Sequence, residues 1–159
     1  MNTVSDKEKH ILEAMDYANK YLCIKNKYIG DGKIFWLYKK KDVLQVFKEL
    51  GYNVKYITGG AYFIEKYYNN YRFDYSFVIS QNNFSIYLYI YIDNVLIENR
   101  VSNMGYILKF LPYDVKLANK LNESGFVLES LDDMKNYIQD IINLFDEFIN
   151  KYEATIKYW

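Results

Sequence analysis

From Phe84 to Ile92 the chain reads Phe-Ser-Ile-Tyr-Leu-Tyr-Ile-Tyr-Ile. Successive side chains of a β-strand point to opposite faces of its sheet. Ile86, Leu88, Ile90 and Ile92 can therefore enter a core while Tyr87, Tyr89 and Tyr91 line up on the other side. This segment predicts a sheet with one aliphatic face and one phenolic face, and what the phenolic face meets bears directly on function.

The sequence around it supplies four two-residue turns in succession, Gly59-Gly60, Asn69-Asn70, Asn82-Asn83 and Asp93-Asn94. All are residue types that accept the positive φ of tight hairpins, so a five-stranded antiparallel meander is expected. With two-residue loops, Thr58 pairs with Ala61, Tyr68 with Tyr71, Gln81 with Phe84 and Ile92 with Val95. Counting outward sets Phe73, Tyr75, Phe77 and Ile79 opposite Ile92, Ile90, Leu88 and Ile86. Val95, Ile97 and Val101 then continue the apolar face beyond that strand, and Ile57, Tyr62 and Ile64 extend it at the first hairpin. The reverse face receives Tyr56, Phe63, Glu65 and Tyr67, then Asp74, Ser76 and Val78, then the three tyrosines, and finally Leu96, Glu98 and Arg100. A one-residue slip would place charges in the core, so the pattern defends its own register.

Helices flank this meander. Ser5 and Glu8 form a capping box ahead of the stripe Ile11, Met15, Ala18 and Leu22, which predicts one helix over residues 6–24. Asp42 and Gln45 form a second capping pattern. The stripe Val43, Val46, Phe47 and Leu50 with Gly51 at its end predicts a helix over 42–50. Residues 29–33 read as a turn, 34–38 and 106–111 as short strands, and 112–121 as a helical turn. Ser130 and Asp133 open the final helix, expected over 131–154, with Met134, Ile138, Ile141, Phe145, Phe148 and Tyr152 along one stripe widened by Ile142 and Ile149. The expected fold class is α+β: an antiparallel meander of about five strands, with N-terminal helices and a long C-terminal helix packed on one face, in one domain over 1–159.

Composition narrows the function classes. There are 20 Lys+Arg against 20 Asp+Glu, so no global field draws the chain onto nucleic acid or an anionic membrane. Cys23 has no second cysteine to pair with, the first residues lack a secretory pattern, and no apolar run approaches the ~20 residues of a membrane helix. A cytoplasmic protein that binds neither nucleic acid nor membrane is expected. The 19 tyrosines and only two arginines, Arg72 and Arg100, fit AT-rich bacterial coding. That bias explains the number of tyrosines but not their alignment on one face.

No catalytic set emerges. His10, the only histidine, falls on the far side of its helix from the apolar stripe, and Cys23 has no nearby histidine to activate it. There is no Cys-x-x-Cys, no His-Glu-x-x-His and no glycine-rich phosphate loop, so a non-enzyme without cofactor or metal is expected. A carboxylate-only hydrolase built from Asp74, Glu98 and neighbours is the enzymatic alternative.

The binding candidates are clearer. Tyr56, Phe63, Tyr67, Tyr87, Tyr89 and Tyr91 left half exposed would form a patch at or above the ~300–600 Å² of an ordinary monomer's largest. Intramolecular cover, homodimerisation and a foreign protein are the three ways to satisfy it. Glu98 and Arg100 are placed to set register beside the tyrosines. Asp133, Asp140 and Glu147 recur every seven residues on the last helix, away from its core stripe. Residues 123–159 carry eight acids against three lysines, so this helix face is either simply solvated or offers a surface to a basic partner.

A helix-flanked antiparallel sheet with a tyrosine-lined face, an acidic helix and no catalytic set resembles bacterial polymorphic-toxin immunity proteins. The resemblance is one of layout over the whole chain, and no residue role is carried over from it. It implies a cytoplasmic inhibitor that binds one cognate toxin. The layout also resembles secretion-type chaperones or adaptors, which implies a homodimer holding a client segment.

Overall fold

A computed structural model of the chain describes residues 4–30, 38–80, 83–97, 103–124 and 126–156. They fall into two compact units, one made of the described residues up to 8 and between 38 and 110, the other of those between 9 and 30 and from 111 onward. The class is α+β, with a five-stranded antiparallel sheet, helices ahead of it and a long helix at the C-terminal end.

The first unit holds the sheet. Helix α1 (Asp6–Ala14) starts in this unit and crosses into the second. Its expected capping box is present, with Ser5 Oγ donating to Glu8 Oε2 at 2.8 Å and the Glu8 N–H donating back to Ser5 Oγ at 3.3 Å. Helix α3 (Lys40–Glu49), the third in chain order, begins two residues ahead of the expected capping pattern, so Asp42 lies in its first turn rather than at its cap. Its end is as read: Gly51 takes φ 83°, the Tyr52 N–H bonds the Phe47 carbonyl and the Gly51 N–H bonds that of Lys48. These are the two bonds that close a Schellman end.

Strands β1 (Lys55–Ile57), β2 (Ala61–Tyr68), β3 (Tyr71–Ser80), β4 (Asn83–Ile92) and β5 (Val95–Leu96) follow in simple meander order. Two registers are as expected, Tyr68 with Tyr71 and Ile92 with Val95. The β3–β4 register differs by two residues: Ser80 pairs with Asn83, and Phe73, Tyr75 and Phe77 oppose Ile90, Leu88 and Ile86. Because the side-chain period is two, that shift leaves every residue on its expected face.

The first hairpin differs by one residue, and there the face changes. Its loop is Thr58-Gly59-Gly60, Ile57 pairs with Ala61, and Tyr56 pairs with Tyr62 at 5.1 Å between ring centres. Tyr56 therefore belongs with Tyr62 on the core side, not with the phenolic row, and Ile57 is 56% exposed instead of extending the core. The reason is Gly60, at φ 89°, whose carbonyl accepts the Ile79 N–H at 2.9 Å and so continues the β2–β3 ladder into the loop. A Cβ there would lie 2.6 Å from the Ile79 oxygen, so only glycine fits. Tyr62, Ile64, Phe73, Tyr75, Phe77, Ile79, Ile86, Leu88 and Ile90 are buried, as the alternation requires. The stretch expected as a strand over 106–111 is instead a short 3-10 helix, Tyr106–Phe110.

The second unit is helical. The single helix expected over 6–24 is broken at Asp16, which adopts the left-handed conformation at φ 53°, so that α2 (Tyr17–Asn26) starts afresh. Asp tolerates that conformation better than most residues, and Asn19 Nδ2 donates to Asp16 Oδ1 at 2.9 Å. Helix α4 (Val115–Ser124) is capped by Asp114 Oδ1, which accepts the N–H groups of Lys116 and Leu117 at 2.9 and 3.1 Å. Helix α5 (Leu131–Ile156) buries its whole expected stripe, with Tyr137 and Leu144 added to it. Helix α2 runs antiparallel to α5 in this unit, with Lys20 meeting Glu147 and Lys27 meeting Asp140. Cys23 is exposed, not half-buried as a residue at the helix flank would be. The strand expected over 34–38 lies almost wholly outside the described residues.

Candidate functional site

The phenolic face of the sheet is built by register. Three rows run across the strands. Phe63, Ser76 and Tyr87 form the first, with Asn103 bridging to Tyr87. Glu65, Asp74 and Tyr89 form the second, and Tyr67, Arg72, Tyr91 and Leu96 the third. The two-residue shift decides the chemistry of these rows, because it brings Arg72 rather than Asp74 opposite Tyr91.

Along β4, Tyr87 and Tyr89 stack with ring centres 6.2 Å apart and planes 9° from parallel. Both rings and Tyr91 are half-buried, whereas Tyr67 is 65% and Leu96 44% exposed at the two ends of the third row. Burial pushes the Tyr89 hydroxyl above the usual phenol range, and the neighbouring Tyr87 and Tyr91 add to the shift. The tyrosines are thus neither sealed off nor free.

Charge is set among them. The Arg72 guanidinium lies over the Tyr91 ring at 3.8 Å from its centroid, and Nη1 donates to Asn94 Oδ1 at 3.3 Å. Arg72 Nε stands 3.0 Å from Asp74 Oδ1. That contact is an ion pair, in which Arg72 holds the buried carboxylate both by its charge and as a donor. Burial pushes the Asp74 carboxyl above the usual range, opposed by Arg72 and reinforced by Glu65. At the sheet edge Lys55 Nζ donates to both Glu65 oxygens at 2.7 Å, and the Tyr67 hydroxyl donates to Oε2 at 2.9 Å. The Lys55 hydrogen bond is the main reason the Glu65 carboxyl sits below its usual range.

Of the expected binding residues, Phe63, Tyr67, Tyr87, Tyr89 and Tyr91 share this face. Tyr56 does not, for the reason given by the first hairpin. Glu98 and Arg100 lie outside the described residues. Asp133, Asp140 and Glu147 belong to the second unit, where each is engaged. Asp133 lies in the first turn of α5, its N–H donating to the Oγ of the capping Ser130 at 3.0 Å and its Oδ2 accepting the Glu129 N–H at 2.9 Å. Asp140 takes Lys27 Nζ at 2.8 Å and Glu147 takes Lys20 Nζ through both oxygens at 2.8 Å. Much of the charge of that acidic face is therefore met within the unit. Arg72 and Lys55 are the residues that sequence reasoning did not single out. Arg72 could have been found by parity alone, since it shares a face with Asp74 two positions on.

Among the described residues no three His, Cys, Asp or Glu side chains gather as metal ligands would, and no helix is long and apolar enough to cross a membrane. Compared with protein-family models, curated proteins and solved structures, the chain matches none.

Proposed function

We propose that this chain is a protein-binding inhibitor, a cytoplasmic immunity protein that neutralises a cognate bacterial toxin by docking it on the phenolic face of its sheet. The observation that carries this reading is the row Tyr67, Arg72, Tyr91 and Leu96, whose ends are exposed and whose centre is a guanidinium stacked on a phenol. Tyr and Arg are the side chains most often found to carry interface energy. Tyrosine suits a surface that is wet when free and dry when bound, because its hydroxyl keeps a hydrogen bond in either state.

The test is co-expression with the product of the adjacent upstream gene, followed by affinity measurement on the purified pair. Tyr89→Ala and Tyr91→Ala should each weaken binding by more than ~2 kcal/mol, roughly 30-fold, with the fold intact. Unchanged affinity in both variants rejects the face. The mass of the free protein in solution separates this reading from a chaperone or adaptor, for which a homodimer is expected.

A further inference from the structure

We propose that Lys66 keeps the open edge of strand β2 from pairing with the same edge of a second copy of this chain. This device is independent of the docking face proposed above, because it concerns the rim of the sheet and not its phenolic surface.

Strand β2 runs from Ala61 to Tyr68, yet β1 pairs only with Ala61, Tyr62 and Phe63. The Gly60 carbonyl bonds the Ile79 N–H, so the even-numbered positions of β2 turn their backbone groups toward β3. Glu65 and Tyr67 therefore turn theirs outward beyond the end of β1, and no strand pairs with them on that side among the described residues. A row of open N–H and C=O groups is a template for another chain. A second copy is the occupant whose chemistry fits. In a two-fold antiparallel pairing Glu65 of each copy meets Tyr67 of the other, and all of these groups gain partners. The side chains so brought together already bond within one chain, the Tyr67 hydroxyl donating to Glu65 Oε2 at 2.9 Å. Tyr67 is 65% exposed and would cover its ring in the contact.

The same pairing sets Lys66 opposite its own counterpart, and like charges directly opposite one another are destabilising. Lys66 points to the core side of the sheet. It is the cross-strand partner of the fully buried Phe73 and shares a face with the buried Tyr62 and Ile64. Its Nζ lies 5.6 Å from the centre of the Tyr75 ring and 6.0 Å from that of Tyr52. The residue is half-buried there, and its long stem lets the ammonium keep water at an open rim. Joining two sheets would put that ammonium in the middle of a continuous core-side face and strip the water from it, which is costly for a charge. An inward-pointing charge on an edge strand is a known guard against such pairing. Valine or threonine would suit the strand equally well and raise no such barrier.

The experiment follows mass against concentration by sedimentation, and amide exchange, on the full chain and its variants. Lys66→Val should associate at concentrations where the wild-type chain keeps its mass, with the N–H groups of Glu65 and Tyr67 exchanging at least several-fold more slowly than in the wild type. Lys66→Thr should do the same, and Lys66→Arg, which keeps the charge, should behave as the wild type. Adding Tyr67→Pro to Lys66→Val should abolish the association, because it removes an outward N–H that the β2–β3 ladder does not use. Unchanged mass in both Lys66→Val and Lys66→Thr overturns the proposal. So does association of Lys66→Arg, association that survives Tyr67→Pro, or slow exchange at Glu65 and Tyr67 already in the wild type. The docking face is judged separately, by toxin affinity in the tyrosine variants.

Discussion

Arg72 lies over the ring of Tyr91, its cross-strand partner, while its Nε stands 3.0 Å from the buried carboxylate of Asp74. One guanidinium thus serves both the surface of the phenolic face and the charge beneath it. Arg72→Ala leaves Asp74 buried without its cation, which should destabilise the protein by about 1–3 kcal/mol. Adding Asp74→Asn should recover part of that loss. Urea denaturation of the two single variants and the double variant measures the coupling, and full additivity would contradict it.

Gly60 and Gly51 both adopt left-handed backbone, at φ 89° and 83°, but their surroundings differ. A side chain at Gly60 would strike the Ile79 carbonyl, whereas nothing lies within 4 Å at Gly51. Gly51→Ala should cost about 1–2 kcal/mol from conformation alone. Gly60→Ala should cost clearly more, and amide exchange should show the β1–β2 hairpin opening first.

Lys20 with Glu147 and Lys27 with Asp140 are matched by spacing. Seven residues separate Lys20 on α2 from Lys27 at its C-terminal cap and seven the acids on α5, close to two helical turns, so both pairs fall on one side of the antiparallel helices. Each is largely open to solvent, so Lys20→Ala or Lys27→Ala should lower stability by only ~0.2–1 kcal/mol. The effect should fade in 1 M salt, where the screening length is about 3 Å.

The phenols of the second unit should report alkaline unfolding. Tyr28 is pushed up to about 12, by burial first and then by Asp140 and Asp133, while burial holds Tyr17 and Tyr137 well above the usual range. In the folded state these groups keep protons that an unfolded chain releases near pH ~10. Their stabilising contribution is therefore complete below that pH and is lost as pH rises toward about 12. Ultraviolet titration should show these tyrosines ionising together with loss of helical circular dichroism. Normal titration near 10 with structure intact would contradict their burial.

Local pattern was enough for the β4 alternation, the buried stripe of α5, the Ser5–Glu8 box and the glycine-ended α3, because each depends on neighbours within a few residues. Strand parity was legible for the same reason, and with it most of the phenolic row. Pairing partners were not. A shift of two residues between β3 and β4 keeps every side chain on its own face, so hydrophobic patterning cannot separate the two registers, and only the assembled sheet brought Arg72 opposite Tyr91. Tyr56 shows the same limit more sharply: Gly60 joining the ladder to Ile79 made a three-residue loop, and one residue turned that ring to the core side. The pairing of Lys20 and Lys27 with acids more than a hundred residues away also belongs to tertiary structure, since periodicity places a charge on a helix face but does not say what faces it.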